Sequence, residues 1–145
     1  MQLTILRRPT RPGALALLEA AQLPTADLTD GHLDHFFYLG SPVAPTGLVG
    51  CEIHGNDGLL RSLVVRPGSR GAGAGSALVR HVEAYALRQG VRAMYLLTTT
   101  AEDFFARRGY VPAGRDRVPA SIRATSEFSG LCPASSAIMA KRLST

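Results

Sequence analysis

The stretch Leu63-Val64-Val65-Arg66-Pro67-Gly68-Ser69-Arg70-Gly71-Ala72-Gly73-Ala74-Gly75 decides how the rest of the chain is read. A short apolar run gives way to a glycine-rich loop, and the loop opens an amphipathic stretch, Ser76 to Gln89, in which Leu78, Val79, Val82 and Ala86 recur at helical spacing before Gly90 stops it. Strand, glycine loop and helix start together make an anion site. Glycines let the backbone approach a ligand, while the free amides and the positive end of the helix dipole point at negative oxygens. A P-loop needs Gly-Lys-Ser or Gly-Lys-Thr at its end, and Gly75-Ser76 lacks the lysine. A dinucleotide fingerprint wants its third glycine one place later and an acidic residue at the end of the next strand, whereas Ala93 to Leu97 runs into threonines.

Upstream of the loop, Gly47 to His54 and Leu59 to Val65 flank Gly55-Asn56-Asp57-Gly58, a strong turn signal between two β-rich runs. A tight turn on Asn56-Asp57 sets His54 opposite Leu59, Glu52 opposite Arg61 and Gly50 opposite Leu63, so that Glu52 and Arg61 share a face. Further back, Leu3 to Arg7 reads as a strand and Ala14 to Ala21 as a helix behind Pro12-Gly13. The Leu23 to His35 stretch is ambiguous, with Thr29 a cap for a short second helix, and Phe36 to Leu39 reads as a strand ended by Gly40-Ser41-Pro42. Downstream, Arg115 to Ser136 is long for a plain connection. Pro119 to Arg123 is expected to start a short helix, Ile122, Phe128 and Leu131 to anchor the segment, and Ala137 to Leu143 to form the last strand. Alternating strand and helix signals place the chain in the α/β class.

With 145 residues, 46% hydrophobic and 19% charged, the chain has material for one core and one domain. No apolar run reaches the roughly 20 residues of a membrane span, and the start does not read as a signal peptide, so the cytoplasm is expected. Cys51 and Cys132 stand far apart without paired histidines, which favours packed thiols over a disulfide or a zinc site. The formal charge of +5 comes from arginines spread along the chain. They form no stripe with interleaved aromatics of the kind that marks a nucleic-acid binder, and an anionic small ligand fits the charge equally well.

The run Arg70-Gly71-Ala72-Gly73-Ala74-Gly75 resembles in full the pyrophosphate loop of the GCN5-related N-acetyltransferase (GNAT) family, Arg/Gln-x-x-Gly-x-Gly/Ala. Leu63-Val64-Val65-Arg66-Pro67 resembles the strand that precedes it there. The strand Tyr95 to Thr98, followed by Thr99 to Tyr110 with its Arg108-Gly109-Tyr110 ending, is similar to the family's fifth strand and fourth helix. Leu97 to Ala101 with Phe104-Phe105 resembles the acetyltransferase domain of N-acetylglutamate synthases. Ile122 to Thr125 and Leu131 to Ser136 resemble small GNAT proteins of arsenic-resistance operons. The resemblance implies one GNAT domain over residues 1–145, with a mixed, mostly antiparallel central sheet whose fourth and fifth strands splay and helices on both faces. It implies acetyl-CoA as cosubstrate and no metal. By carry-over the cofactor is held by Leu63, Val64 and Val65, by Arg70, Gly71, Ala72, Gly73, Ala74, Gly75 and Ser76 of the loop, and by Thr98 and Phe105. The partners implied are a small-molecule amine, neither nucleic acid nor membrane, with homodimer formation left open.

Acetyl transfer of this kind is attack of a neutral amine on a thioester, which needs an oxyanion donor and a route for the amine proton. The resemblance gives the donor role to the Leu63 amide. Two departures bear on the proton: Leu59 to Val65 holds no carboxylate, where many members have a glutamate, and Phe105 stands where many have a tyrosine. Tyr110 reads as a packing residue. Glu52 is the substitute base by geometry, weighed against a plain Glu52–Arg61 ion pair, and His54 acting through water comes next. Arg61 and Arg123 are candidates to hold a substrate carboxylate. The acceptor implied is a small amine, such as an amino acid or an arsenic- or phosphorus-containing analogue. A degenerate acetyl-CoA-binding module without turnover is the competing reading.

Overall fold

A computed structural model describes residues 3–71 and 73–144. In chain order it contains β1 (Leu6–Arg7), α1 (Arg11–Ala20), α2 (Asp30–Leu33), β2 (Phe36–Gly40), β3 (Pro45–His54), β4 (Asp57–Val65), α3 (Ala74–Arg88), β5 (Ala93–Thr98), α4 (Glu102–Ala106), β6 (Val111–Pro112), α5 (Ala120–Arg123) and β7 (Ala137–Arg142). The strands form one mixed sheet of order β1-β2-β3-β4-β5-β7-β6. No described helix is long and apolar enough to cross a membrane.

The chain divides into two compact units, Met1–Glu52 with Leu60–Tyr85, and Ile53–Leu59 with Ala86–Thr145. In the first, α1 begins three residues earlier than the sequence suggests. Thr10 supplies the cap, its Oγ1 accepting from the Gly13 amide at 3.1 Å, and Pro12 fits the first turn, where no N–H is needed. Thr29 caps α2 as expected. His32 completes a reciprocal box, with the Thr29 amide donating to its Nδ1 at 3.0 Å. The expected first strand shrinks to Leu6–Arg7, which pairs antiparallel with Tyr38 and Phe37, and Arg8 leaves it in the left-handed region at φ 67°. Leu17 and Leu18 of α1, Leu33 of α2, Phe36 and Tyr38 of β2, Leu48 of β3 and Val64 of β4 close the core of this unit.

The hairpin turn falls on Gly55-Asn56, one residue before the Asn56-Asp57 expected, because Gly55 takes a left-handed φ of 66° at the first turn position and β4 already starts at Asp57. Glu52 and Arg61 keep a common face through this shift, since side chains alternate with period two and Arg61 is two residues from Leu59.

In the second unit β4 runs parallel to β5 through Asp57↔Ala93, Gly58↔Met94 and Leu59↔Tyr95, the last of the pairs, although β4 continues to Val65 and β5 to Thr98. The β7 strand pairs antiparallel with β5 along its whole length and with β6 on its other side. The long segment after β6 contains α5 and a helical turn from Glu127 that is broken by the extended φ of Gly130. Val118, Ile122 and Phe128 pack with Leu59 against Tyr95, Leu97 and Ile138, so Ile122 and Phe128 anchor it as expected, while Leu131 is half-buried.

Candidate active site

The glycine-rich loop has the conformation that an anion site requires. After β4 the chain makes a tight turn over Pro67–Ser69, and the exposed Arg70 folds back so that its Nε donates to the Val65 carbonyl at 3.0 Å. Gly71 and Gly73 have φ of 100° and 74°, a region costly for any side chain with a Cβ. A Cβ at Gly73 would meet no protein atom within 4 Å, so the backbone conformation and not crowding within the protein demands glycine there. The Gly73 carbonyl accepts the first helical bond from Ala77 at 2.9 Å, which leaves the amides of the opening turn of α3 without helical partners and at the positive end of its dipole. Ala74 is buried, Gly75 and Ser76 are half-buried, and the Ser76 hydroxyl accepts from Arg80 at 2.7 Å. Ala72 lies outside the described residues.

Beside this loop a groove of about 340 Å³ is walled by Val64, Val65, Arg66, Pro67 and Arg70, by the small residues Gly13, Ala16 and Ala20 of α1, and by Val43 to Pro45. Its volume suits a small ligand. The α1 wall went unread in the sequence, although glycine and alanines at helical spacing on the flank opposite Leu18 are a signal for close approach. At Gly13 the approach is real: a Cβ there would come within 2.6 Å of the Pro42 carbonyl.

A second polar feature of the same unit is a buried network around Arg61. Its guanidinium has no solvent exposure. Nη1 and Nη2 donate to Asp27 Oδ2 and Oδ1 at 2.6 and 2.9 Å, a two-point fork; Nη1 also donates to Glu52 Oε2 at 2.8 Å, and Nε to Ser62 Oγ at 3.1 Å. The Glu52–Arg61 contact expected from the hairpin is present, but the expectation that Arg61 holds a substrate carboxylate gives way, because Asp27 already fills that fork. His32 Nε2 stands 3.9 Å from Glu52 Oε2. Asp27, His32 and Glu52 bring ligand atoms within 4.8 Å of one another, and Arg61 supplies the positive charge that Asp27 and Glu52 share. Burial alone would raise the Asp27 carboxyl; the Arg61 hydrogen bond and charge outweigh it and hold it below 3.8. A carboxyl lowered on folding contributes stability that is complete above its unfolded value and drains as pH falls through the folded one. Asp27→Asn is therefore expected to melt below wild type at neutral pH, with the gap closing as pH drops beneath 3.8. Thermal melts across that range check this, and a gap independent of pH contradicts it.

The profile of the acetyltransferase (GNAT) family matches residues 7–110, more than half of the chain. The chain belongs to this family. Over 66 residues, 46% of this chain and 15% of the relative, it is 39% identical to an amino-acid acetyltransferase of Ralstonia nicotianae. Over 64 residues, 44% of this chain and 15% of the relative, it is 36% identical to that of Pseudomonas putida. The match thus spans only 15% of the length of these curated relatives. Among solved structures, N-acetylglutamate synthase from Neisseria gonorrhoeae, complexed with coenzyme A and N-acetyl-glutamate, superposes with a TM-score of 0.84 at 22% identity, covering 100% of this chain and 36% of that one. PaiA N-acetyltransferase from Thermoplasma acidophilum, in complex with coenzyme A, superposes with 0.63 at 13% identity, covering 99% and 100%. At these identities the likeness speaks for the fold.

The remaining GNAT site candidates fall as follows. Leu63 and Val65 are half-buried and Val64 belongs to the core. His54 is the half-buried last residue of β3. Thr98 ends β5, its Oγ1 accepting from the Ala101 amide at 3.0 Å. Phe105 is buried, with Phe104 and Tyr110 rings set edge-on to it at 5.1 and 5.5 Å, so Tyr110 packs as expected and Phe105 offers no phenol to protonate a leaving thiolate. Arg123 is exposed on α5. Cys51 is fully buried, and burial first, then the Glu52 charge, pushes its thiol up to about 12, which makes it an inert core residue; Cys132 is half-buried.

Proposed function

We propose that the chain binds acetyl-CoA and transfers the acetyl group to the nitrogen of a small amine, an amino acid or an acid-bearing analogue of one, by direct attack on the thioester. The observation that carries this reading is the loop of left-handed glycines opening onto the start of α3, joined through Arg70 to a groove lined by Val64 and Val65. Loop amides and helix dipole meet the pyrophosphate, and the apolar groove with the backbone of Leu63 to Val65 takes the pantetheine arm. Thr98 and Phe105 are assigned to the cofactor on the family resemblance. The relatives named amino-acid acetyltransferases and the Neisseria enzyme crystallised with coenzyme A and N-acetyl-glutamate support an amino-acid acceptor. With Arg61 engaged by Asp27, a carboxylate on the acceptor falls to Arg123.

In the reaction the amine lone pair bonds to the carbonyl carbon, the Leu63 amide receives the oxyanion, and collapse breaks the C–S bond with loss of CoA thiolate. The amine proton must go elsewhere. Glu52, with one oxygen already bound by Arg61, takes it through water in this reading, and His54 is the alternative. If Glu52 is the base, Glu52→Gln keeps acetyl-CoA affinity and lowers kcat about 10²- to 10³-fold, with the loss shrinking as pH nears the amine's own pKa. A lower melting temperature with an unshifted pH–rate profile moves the role to His54 or solvent. Acceptor identity is tested by mass spectrometry on amino acids, plain amines, and arsenic- and phosphorus-containing analogues. An amide product with acid-bearing amines supports the reading, and products from plain amines alone refute the acceptor class.

A further inference from the structure

Ser62 is a serine in the left-handed region, φ 62°, inside the nine-residue strand β4. The other described non-glycine residues at positive φ, Arg8 and Gln22, lie in connections. The alternation of β4 breaks at Ser62. Arg61 meets Asp27 and lies 6.0 Å from the centre of the Phe36 ring, while Val64, three positions on, packs in the same core as Phe36. In a regular strand, residues three apart face opposite sides. One extra residue has therefore been inserted, a bulge, which kinks a strand and re-aims the groups beside it.

A residue with a Cβ does not hold this conformation unaided; the surroundings must impose it. The Ser62 hydroxyl accepts from Arg61 Nε at 3.1 Å, and the far end of that guanidinium is fixed by both Asp27 oxygens and by Glu52, with no solvent exposure in which to swing. We propose that Asp27, Arg61 and Ser62 form a brace that holds the β4 kink and so aims the Leu63 amide, which makes Asp27 and Ser62 positioning residues for acetyl transfer. This rests on the reading that the Leu63 amide receives the oxyanion.

Two substitutions separate aim from bulk. Ser62→Ala removes the hydroxyl and keeps the Cβ that disfavours φ 62°, whereas Ser62→Gly removes the hydroxyl and adopts that φ freely. Ser62→Ala is expected to lower kcat about tenfold with KM for acetyl-CoA within about twofold, and Ser62→Gly to lose about threefold or less, a fraction of the effect of deleting an oxyanion donor outright. Equal losses in the two variants, or losses confined to KM for acetyl-CoA, overturn the brace. Failure of the acetyl-transfer reading looks different, since wild type itself then shows no turnover with any amine.

Discussion

Arg61→Ala is expected to lower folding stability by about 3–5 kcal/mol, because it strands two carboxylates that are largely shielded from water. Asp27 and Glu52 are each only 11% exposed at the side chain and Arg61 not at all, so solvent does little to screen the loss. Each group was desolvated on folding, and the guanidinium fork is the interaction that offsets that cost for Asp27. In a chain of this length the loss corresponds to a fall in Tm on the order of 10 °C. Lowering the pH should lessen the penalty, since a protonated Asp27 leaves no charge stranded there. A loss under about 1 kcal/mol, the range of an exposed ion pair, would show that water reaches the network.

Gly73→Val is expected to weaken acetyl-CoA binding by at least about 100-fold, through two effects that add. The left-handed φ of 74° costs a β-branched residue about 1–3 kcal/mol, which the loop relieves by shifting away from its anion-binding shape. The new side chain also fills space that the protein leaves open, since no protein atom lies within 4 Å of a Cβ built there, and that space adjoins the opening amides of α3. Gly55→Val is the control. Gly55 has a comparable φ of 66° and equally open space in the hairpin turn, so the strain is matched without touching the loop. Calorimetric titration with acetyl-CoA should show affinity lost in Gly73→Val and kept in Gly55→Val. Unchanged affinity in both removes the loop from the cofactor site.

The parts of this molecule that were legible in the sequence are those written in short range. The loop 70–75, the helix behind it, the hairpin and the Thr29 cap each follow from neighbours within a few positions, where glycine freedom, capping and alternation act directly. The common face of Glu52 and Arg61 was legible because strand alternation keeps it even when the turn moves by one residue. Asp27 was missed because it reaches Arg61 across 34 positions from a segment with no clear periodicity. A clue existed: an arginine inside the apolar run Leu59 to Val65 must be matched if buried, and one carboxylate seldom satisfies five donors. The kink at Ser62 left no mark, since serine has no preference for positive φ and only the assembled network imposes it. The early start of α1 was missed because Thr10 was not read as a cap.

The most direct measurement follows free thiol released from acetyl-CoA by the wild-type protein, with and without added amine, alongside calorimetric binding of acetyl-CoA. Acetyl transfer predicts saturable binding and thiol release that depends on the amine and matches acetylated product one to one. Binding of acetyl-CoA with no amine-dependent release across amino acids, plain amines, and their arsenic and phosphorus analogues would contradict it and leave a cofactor-binding module in its place.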